Sequence, residues 1–261
     1  DGLQAIFATS DLGVSSNRIG FVLTSPSDFV RVPEVTVSSV FIADADSDGE
    51  VKDTVQAVFR PWPYGVRGLY TTQLTFDTPG RWGIDISVPG TEGGSQGTAQ
   101  LFFEVKEAPS AVPVGSPAVP SRNKTLDDVE VLEDLSTGSL QDPDLYRVTI
   151  ADAVASGLPT VVVMASPAFC TNAVCGPQVE VLQELKDKYK GQSNFVHVDI
   201  YDNPDEIQGD LDRAIISPTA IEWNLPSTEW SFVIDSAGVV AARFESFATI
   251  DELEEALKRV L

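Results

Sequence analysis

One unbroken run, Thr160-Val161-Val162-Val163-Met164, constrains this chain more than any other stretch. Nothing in it alternates with polar residues, so it reads as a strand buried on both faces. The residues after this run narrow the choice of fold. A loop carries both cysteines of the sequence, Cys170 and Cys175. Gly176-Pro177 then opens a segment with Val179, Val181, Leu182 and Leu185 at helical spacing. Pro177 suits the first helical turn, where its missing N–H costs nothing. A cysteine at that helix start would sit beside unpaired backbone N–H groups and the positive end of the helix dipole, which favour thiolate over thiol.

Strand, cysteine loop and helix in this order resemble the thioredoxin-like active site. Cys175-Gly176-Pro177 matches the first three residues of that family's Cys-Gly-Pro-Cys motif, and the fourth position is Gln178. The partner thiol implied by the resemblance is therefore Cys170, in a Cys-x4-Cys arrangement. The resemblance implies thiol–disulfide exchange through Cys175 and Cys170 as catalytic residues, with a thiol or disulfide protein as substrate. Two family features are changed. Val174 stands where the motif has tryptophan, and the cis-proline that precedes the family's third strand falls near Glu229, with Pro226 the nearest proline, so that either the loop is longer here or the cis-proline is absent. A carboxylate beside the thiols would raise their pKa and weaken the nucleophile. Copper-inserting Sco-type relatives use Cys-x3-Cys plus a histidine near the strand that here begins at Trp230, and this chain has neither. Peroxiredoxins use Pro-x3-Thr-x2-Cys, and after Pro167 and Thr171 the cysteine here comes one residue late.

The rest of the C-terminal half supports the same order of elements. Thr149 caps a short helix at Ile150–Ser156, Asn194–Tyr201 reads as a strand, and Ser217-Pro218 starts another helix. Trp230–Ile234 and Val239–Phe244 form a hairpin, and Thr249-x-x-Glu252 is a capping box for a closing helix. Residues 145–261 thus follow β-α-β-α-β-β-α, the order expected of an α/β thioredoxin-like domain. His197, the single histidine, lies mid-strand and reads as a structural residue.

Residues 1–107 have the pattern of an all-β immunoglobulin-like sandwich. Seven strands are expected: Leu3–Ser10, Arg18–Thr24, Glu34–Ile42, Thr54–Phe59, Leu69–Phe76, Trp82–Val88 and Ala99–Val105, separated by Gly, Pro, Ser and Asp turns. The run Gly68-x-Tyr70, Phe76, Gly80-x-Trp82 resembles a hairpin of small exported YtkA-like sandwiches. Between two strands, Asp44-Ala45-Asp46-Ser47-Asp48-Gly49-Glu50-Val51 matches the first eight positions of an EF-hand-type calcium loop. Asp44, Asp46, Asp48 and Glu50 are the candidate calcium ligands. The closing bidentate Glu is missing, because the twelfth position is Val55. Residues 108–144, rich in Pro, Ser and Ala and then acidic, read as a linker, its first part laid against a domain surface.

Charge bounds the partners. A net charge of −22 leaves no Lys/Arg clusters for phosphate backbones, which excludes nucleic acid as a partner. No apolar run approaches the length of a membrane span. A chain that opens at Asp1, with one Met and a lone cysteine pair, suits an extracytoplasmic protein whose leader was removed. Asn123-Lys124-Thr125 is a glycosylation sequon. Two functions are consistent with these residues: an exported exchange protein, or a cell-surface interaction or assembly module in which both domains are scaffolds and the cysteines form a structural disulfide.

Overall fold

The computed structural model describes every residue except 1, 27, 44–48, 64–66, 91–96, 140 and 170–174. The chain forms two compact units, Asp1–Pro109 and Ser110–Leu261.

The first unit is built from β1 (Gln4–Phe7), β2 (Ser15–Thr24), β3 (Glu34–Phe41), β4 (Glu50–Pro61), β5 (Gly68–Phe76), β6 (Gly80–Val88) and β7 (Gly97–Val105). These are the seven strands expected from the spacing of the turn residues, with shifted ends. Their order is β1-β2-β5-β4-β3-β6-β7, antiparallel throughout. The ladder is continuous, where a sandwich was expected to split it in two. Two of its pairings are short, β1 with β2 over Gln4–Phe7 and β4 with β5 over Val58–Pro61. The chain after β1 crosses over, and Gly13 bridges Lys106 in parallel beyond the end of β7. The sheet is thereby nearly closed on itself. One face of each strand enters a common core of Ile19, Phe21, Val37, Phe76, Trp82 and Ile84 with their neighbours. In β6, Asp85 and Ser87 face outward between the buried Ile84, Ile86 and Val88, the period-2 pattern of a half-buried strand.

The second unit contains α1 (Ile150–Ala155), β8 (Thr160–Ala165), α2 (Cys175–Lys188), β9 (Asn194–Val198), α3 (Pro204–Ile207), α4 (Pro218–Glu222), β10 (Glu229–Ile234), β11 (Val240–Glu245) and α5 (Ile250–Lys258). Its sheet has the order β11-β10-β8-β9, with β8 and β9 parallel and β10 antiparallel to both β8 and β11. Every residue of β8 is buried. Val162 and Met164 join a core with Ala111, Ala118, Ile150 and Phe232. Val161 and Val163 alternate to the opposite face, and α2 packs against β8 and α5. Thr249 and Glu252 open α5 with the expected capping box.

The stretch read as a linker is part of this second unit. Ala111 and Ala118 are buried in its core. The Gly115 N–H donates to the Val240 carbonyl at 2.8 Å, the Val240 N–H to Ser116 at 2.9 Å, and the Ala118 N–H to Gly238 at 2.9 Å. Small and cyclic side chains let this segment lie close against β11 and the turn before it. The sequence showed its extended character but not the surface that holds it. Farther along, the acidic part of this stretch and the residues after it hold two 3-10 turns, at 132–134 and 143–146.

The sequon asparagine is not a surface residue. Asn123 is buried, its Oδ1 accepts the Ile150 N–H at 2.8 Å, and its Nδ2 donates to the Lys124 carbonyl. Asn123 thus satisfies an N–H at the start of α1 from outside the helix. Glycosylation there would require this contact to open. Asn123→Ala should orphan the Ile150 N–H and lower unfolding free energy by about 1–3 kcal/mol, measured by urea denaturation. A loss below about 0.5 kcal/mol, the scatter of ordinary surface changes, would show that water replaces the contact.

Candidate functional site

The C-terminal ends of β8 and β9, with the N-terminus of α2, gather the polar and reactive side chains of the second unit. Cys175 is the first residue of α2 and is fully buried. Gly176 faces open space, whereas Gln178 is fully buried. The Gln178 Oε1 accepts the Ala248 N–H, just before α5, at 2.7 Å. Cys170 lies outside the described residues, so its pairing with Cys175 is not part of this geometry.

The neighbouring strand places Glu229 against this region. In the β8–β10 register Glu229 is opposite Ala165, the last residue of β8, and it is buried. Its carbonyl accepts the Ser246 N–H at 3.0 Å. The position expected to hold a cis-proline is thus filled by Glu229 within the strand, Pro226 lies outside β10, and among the described residues no peptide bond is cis.

Beside this lies a buried polar cluster that the sequence did not single out. The Asp199 Oδ2 accepts the Thr137 N–H and the Thr137 hydroxyl, both at 2.8 Å, and its Oδ1 accepts the Tyr201 N–H at 3.1 Å. The Thr137 Oγ1 lies 3.0 Å from the Ser166 Oγ and accepts the Ala168 N–H at 3.2 Å. One carboxylate therefore ties together the 132–146 segment, the exit of β8 and the exit of β9. Burial pushes the Asp199 carboxyl up to about 6, with the bonds from Thr137, Tyr201 and Ser166 acting in the opposite sense. On the same face of the chain, two residues earlier, the His197 Nε2 lies 3.0 Å from the Ala165 carbonyl, and its Nδ1 lies 2.7 Å from the Tyr146 hydroxyl. A carbonyl only accepts, so Nε2 carries the proton and donates, and Nδ1 accepts from Tyr146. Burial holds the imidazole down at about 4, partly offset by the Ala165 carbonyl, and pushes the Tyr146 hydroxyl well above its ordinary value. His197 is thus a neutral structural residue, as its mid-strand place suggested. An i, i+2 pair of polar residues on an otherwise apolar strand was the available signal that partners exist; the partners themselves are 51 and 62 residues away.

The expected calcium loop is described only at its end. Asp44, Asp46 and Asp48 lie outside the described residues. Glu50 opens β4 opposite Phe41 and pairs with the Lys52 ammonium at 2.9 Å. Among the described residues no three His, Cys, Asp or Glu side chains converge as a metal site. An acidic cleft of about 510 Å³ is lined by Asp127, Asp128, Glu130, Asp202, Asp205 and Glu206, with Lys124 bonded to Asp202 at its wall.

No family model and no curated protein matches the chain. Among solved structures, it is similar to a thiol:disulfide interchange protein of the thioredoxin family from Chlorobium tepidum TLS. That match has 13% identity, 57% of this chain, 97% of the other and a TM-score of 0.37. MtrC from Shewanella baltica OS185 also matches, with 13% identity, 46% of this chain, 24% of the other and a TM-score of 0.30. Likenesses at this level carry no functional weight. No helix among the described residues is long and apolar enough to cross a membrane.

The buried pair His197 and Asp199 should impose opposing pH dependences. Asp199 titrates near 6 when folded and near 3.8 when unfolded, so its contribution to stability falls as pH rises from about 4 to about 6. His197 titrates near 4 when folded and near 6.5 when unfolded, so its contribution is lost as pH falls from about 6.5 through 4. Each is worth roughly 3 kcal/mol at most by the pKa conversion. The wild-type chain should therefore show a shallow profile across this window. Asp199→Asn should uncover a steep loss of stability on acidification, read by urea unfolding from pH 4 to 7. An unchanged slope would refute the opposition.

Proposed function

We propose that the chain is a thiol–disulfide exchange protein whose second unit has a thioredoxin-like fold and whose first is an immunoglobulin-like sandwich, acting outside the cytoplasm on a protein thiol or disulfide. The observation that carries the reading is the placement of Cys175. It starts the helix after the central strand of a β11-β10-β8-β9 sheet, where the helix N-terminus favours a thiolate. For the first unit the sandwich reading rests on the common core that one face of its antiparallel strands enters, and not on the strand order, which is a single continuous ladder.

The burial of Cys175 assigns the thiols unequal roles. A fully buried sulfur cannot meet a partner protein, so Cys170 is the attacking thiol and Cys175 the resolving one. The Cys170 thiolate attacks one sulfur of a partner disulfide, forming a mixed disulfide and expelling the partner's first thiolate. The Cys175 thiolate then attacks the Cys170 sulfur and expels the second. Two electrons pass to the partner, and protons from the solvent complete its two thiols. The same burial favours a second reading, a structural Cys170–Cys175 staple in an assembly module. A short loop contributes only about 2 kcal/mol in that role.

The two are separated by trapping. Cys175→Ser should accumulate mixed disulfides with a disulfide-bearing client protein through Cys170, while Cys170→Ser should not. Equal absence of trapping in both would leave only the staple. Intact-mass analysis under denaturing, non-reducing conditions should show no alkylation before reduction and two alkyl groups after it. Two groups added without reduction would reject the pairing itself.

Asp44, Asp46 and Asp48 carry a separate proposal of calcium binding in the first unit, resting on their alternating pattern and on Gly49, which has φ of 79°. Millimolar calcium should raise the melting temperature of the full chain, and Asp46→Ala should abolish the rise. No shift in the wild type would dismiss the site.

A further inference from the structure

Gln178 occupies the motif position where the resemblance places a second cysteine, and its side chain is half satisfied. The Oε1 accepts the Ala248 N–H at 2.7 Å, which fixes the orientation of the carboxamide, since the reverse would oppose two N–H donors. The Nε2 is buried and has no hydrogen-bond partner among the described residues. Leaving a buried amide donor unmade costs about 1–3 kcal/mol, and the bond to Ala248 needs only the acceptor oxygen. A requirement elsewhere in the cycle of the molecule would explain why the donor is kept.

Helix geometry identifies what that donor can reach. Residues three apart are neighbours on a helix surface, and the Cα–Cβ bond tilts toward the helix N-terminus. The Gln178 side chain therefore runs back over the turn that Cys175 opens, and both residues lie on the buried face while Gly176 faces outward. The acceptor strength of the Cys175 sulfur depends on its redox state. A disulfide sulfur is a poor acceptor, whereas a thiolate is charged and accepts strongly. We propose that the Gln178 Nε2 donates a hydrogen bond to the Cys175 thiolate, making Gln178 a positioning residue that stabilises the resolving sulfur in its reactive form. The inference rests on the exchange reading above. It replaces the second thiol of the family motif with a carboxamide that cannot be oxidised.

The test isolates Cys175 in the full chain with Cys170→Ser and tracks thiolate absorbance in the ultraviolet against pH. Adding Gln178→Met, close in shape and lacking the donor, should move the thiolate midpoint up by roughly one pH unit, a tenfold loss of thiolate. With Cys170 restored, the same substitution should shift the equilibrium with dithiothreitol about tenfold toward the protein disulfide. The reagent supplies two electrons and two protons and leaves as its own cyclic disulfide. If Gln178 served only to hold Ala248, Gln178→Met would lower the melting temperature and leave the midpoint in place, which would overturn the inference. Should that variant fail to fold, Gln178→Glu keeps an acceptor for Ala248 and loses the amide donor. Its midpoint must then lie above wild type, and a midpoint at or below it would overturn the inference equally. Failure of the exchange reading alone would appear differently, as a moved midpoint in a chain that traps no mixed disulfide.

Discussion

The second unit depends on one strand being enclosed on both faces. β8 has no exposed residue, and a β-branched strand of this kind is stable only where both sides of its sheet are covered. Burial of each Val side chain contributes on the order of 1.5–3 kcal/mol, but only if a cover exists on each side. α2 lies against β8, and its inward Val179, Leu182 and Leu185 are buried. The other face is closed by α1 and by the alanines of the 110–118 stretch, with Trp230 stacked on Phe232 and Trp223 tilted against it in the same core. Enclosure of β8 thus decides where its C-terminal end emerges and, with it, where the cysteine loop begins.

That end is also where the fold tolerates its most costly groups. A buried carboxyl and a buried imidazole, two residues apart, are each kept by hydrogen bonds to segments distant in sequence. Such groups favour their neutral forms when desolvated, and the bonds from Thr137 and Tyr146 are what make them tolerable. The segment that carries these partners is fastened in turn by Lys186, which lies in α2 and bonds Asp142 at 2.5 Å. Helix, acidic segment and strand exit are therefore tied into one polar arrangement around the β8 terminus.

Much of this was legible in the residues. Gly, Pro, Ser and Asp turns marked the limits of the strands of the first unit, and in β6 one buried face imposes a period of two. Thr160–Met164 announced itself by lacking alternation, and the box Thr249–Glu252 marked α5 with the bond pattern it makes. What escaped notice was non-local. Thr137 and Tyr146 sit in an acidic stretch with no periodicity, and nothing around them records that they close over Asp199 and His197. Residues 110–118 look like a spacer because Pro, Ser and Ala encode no preferred face; their place is set by the shape of the surface they meet.

That placement has a bearing on association between molecules. A sheet ends in strands whose outward N–H and C=O groups invite pairing with another chain, and exposed rims of this kind seed aggregation. At β11 the rim near Val240 is occupied by 115–118, and the segment that occupies it is itself a poor template. Pro113, Pro117 and Pro120 have no N–H to offer, so growth of the sheet stops there. A shortened chain beginning at residue 145 would retain every helix and strand of the second unit, yet it would present that rim bare to its neighbours.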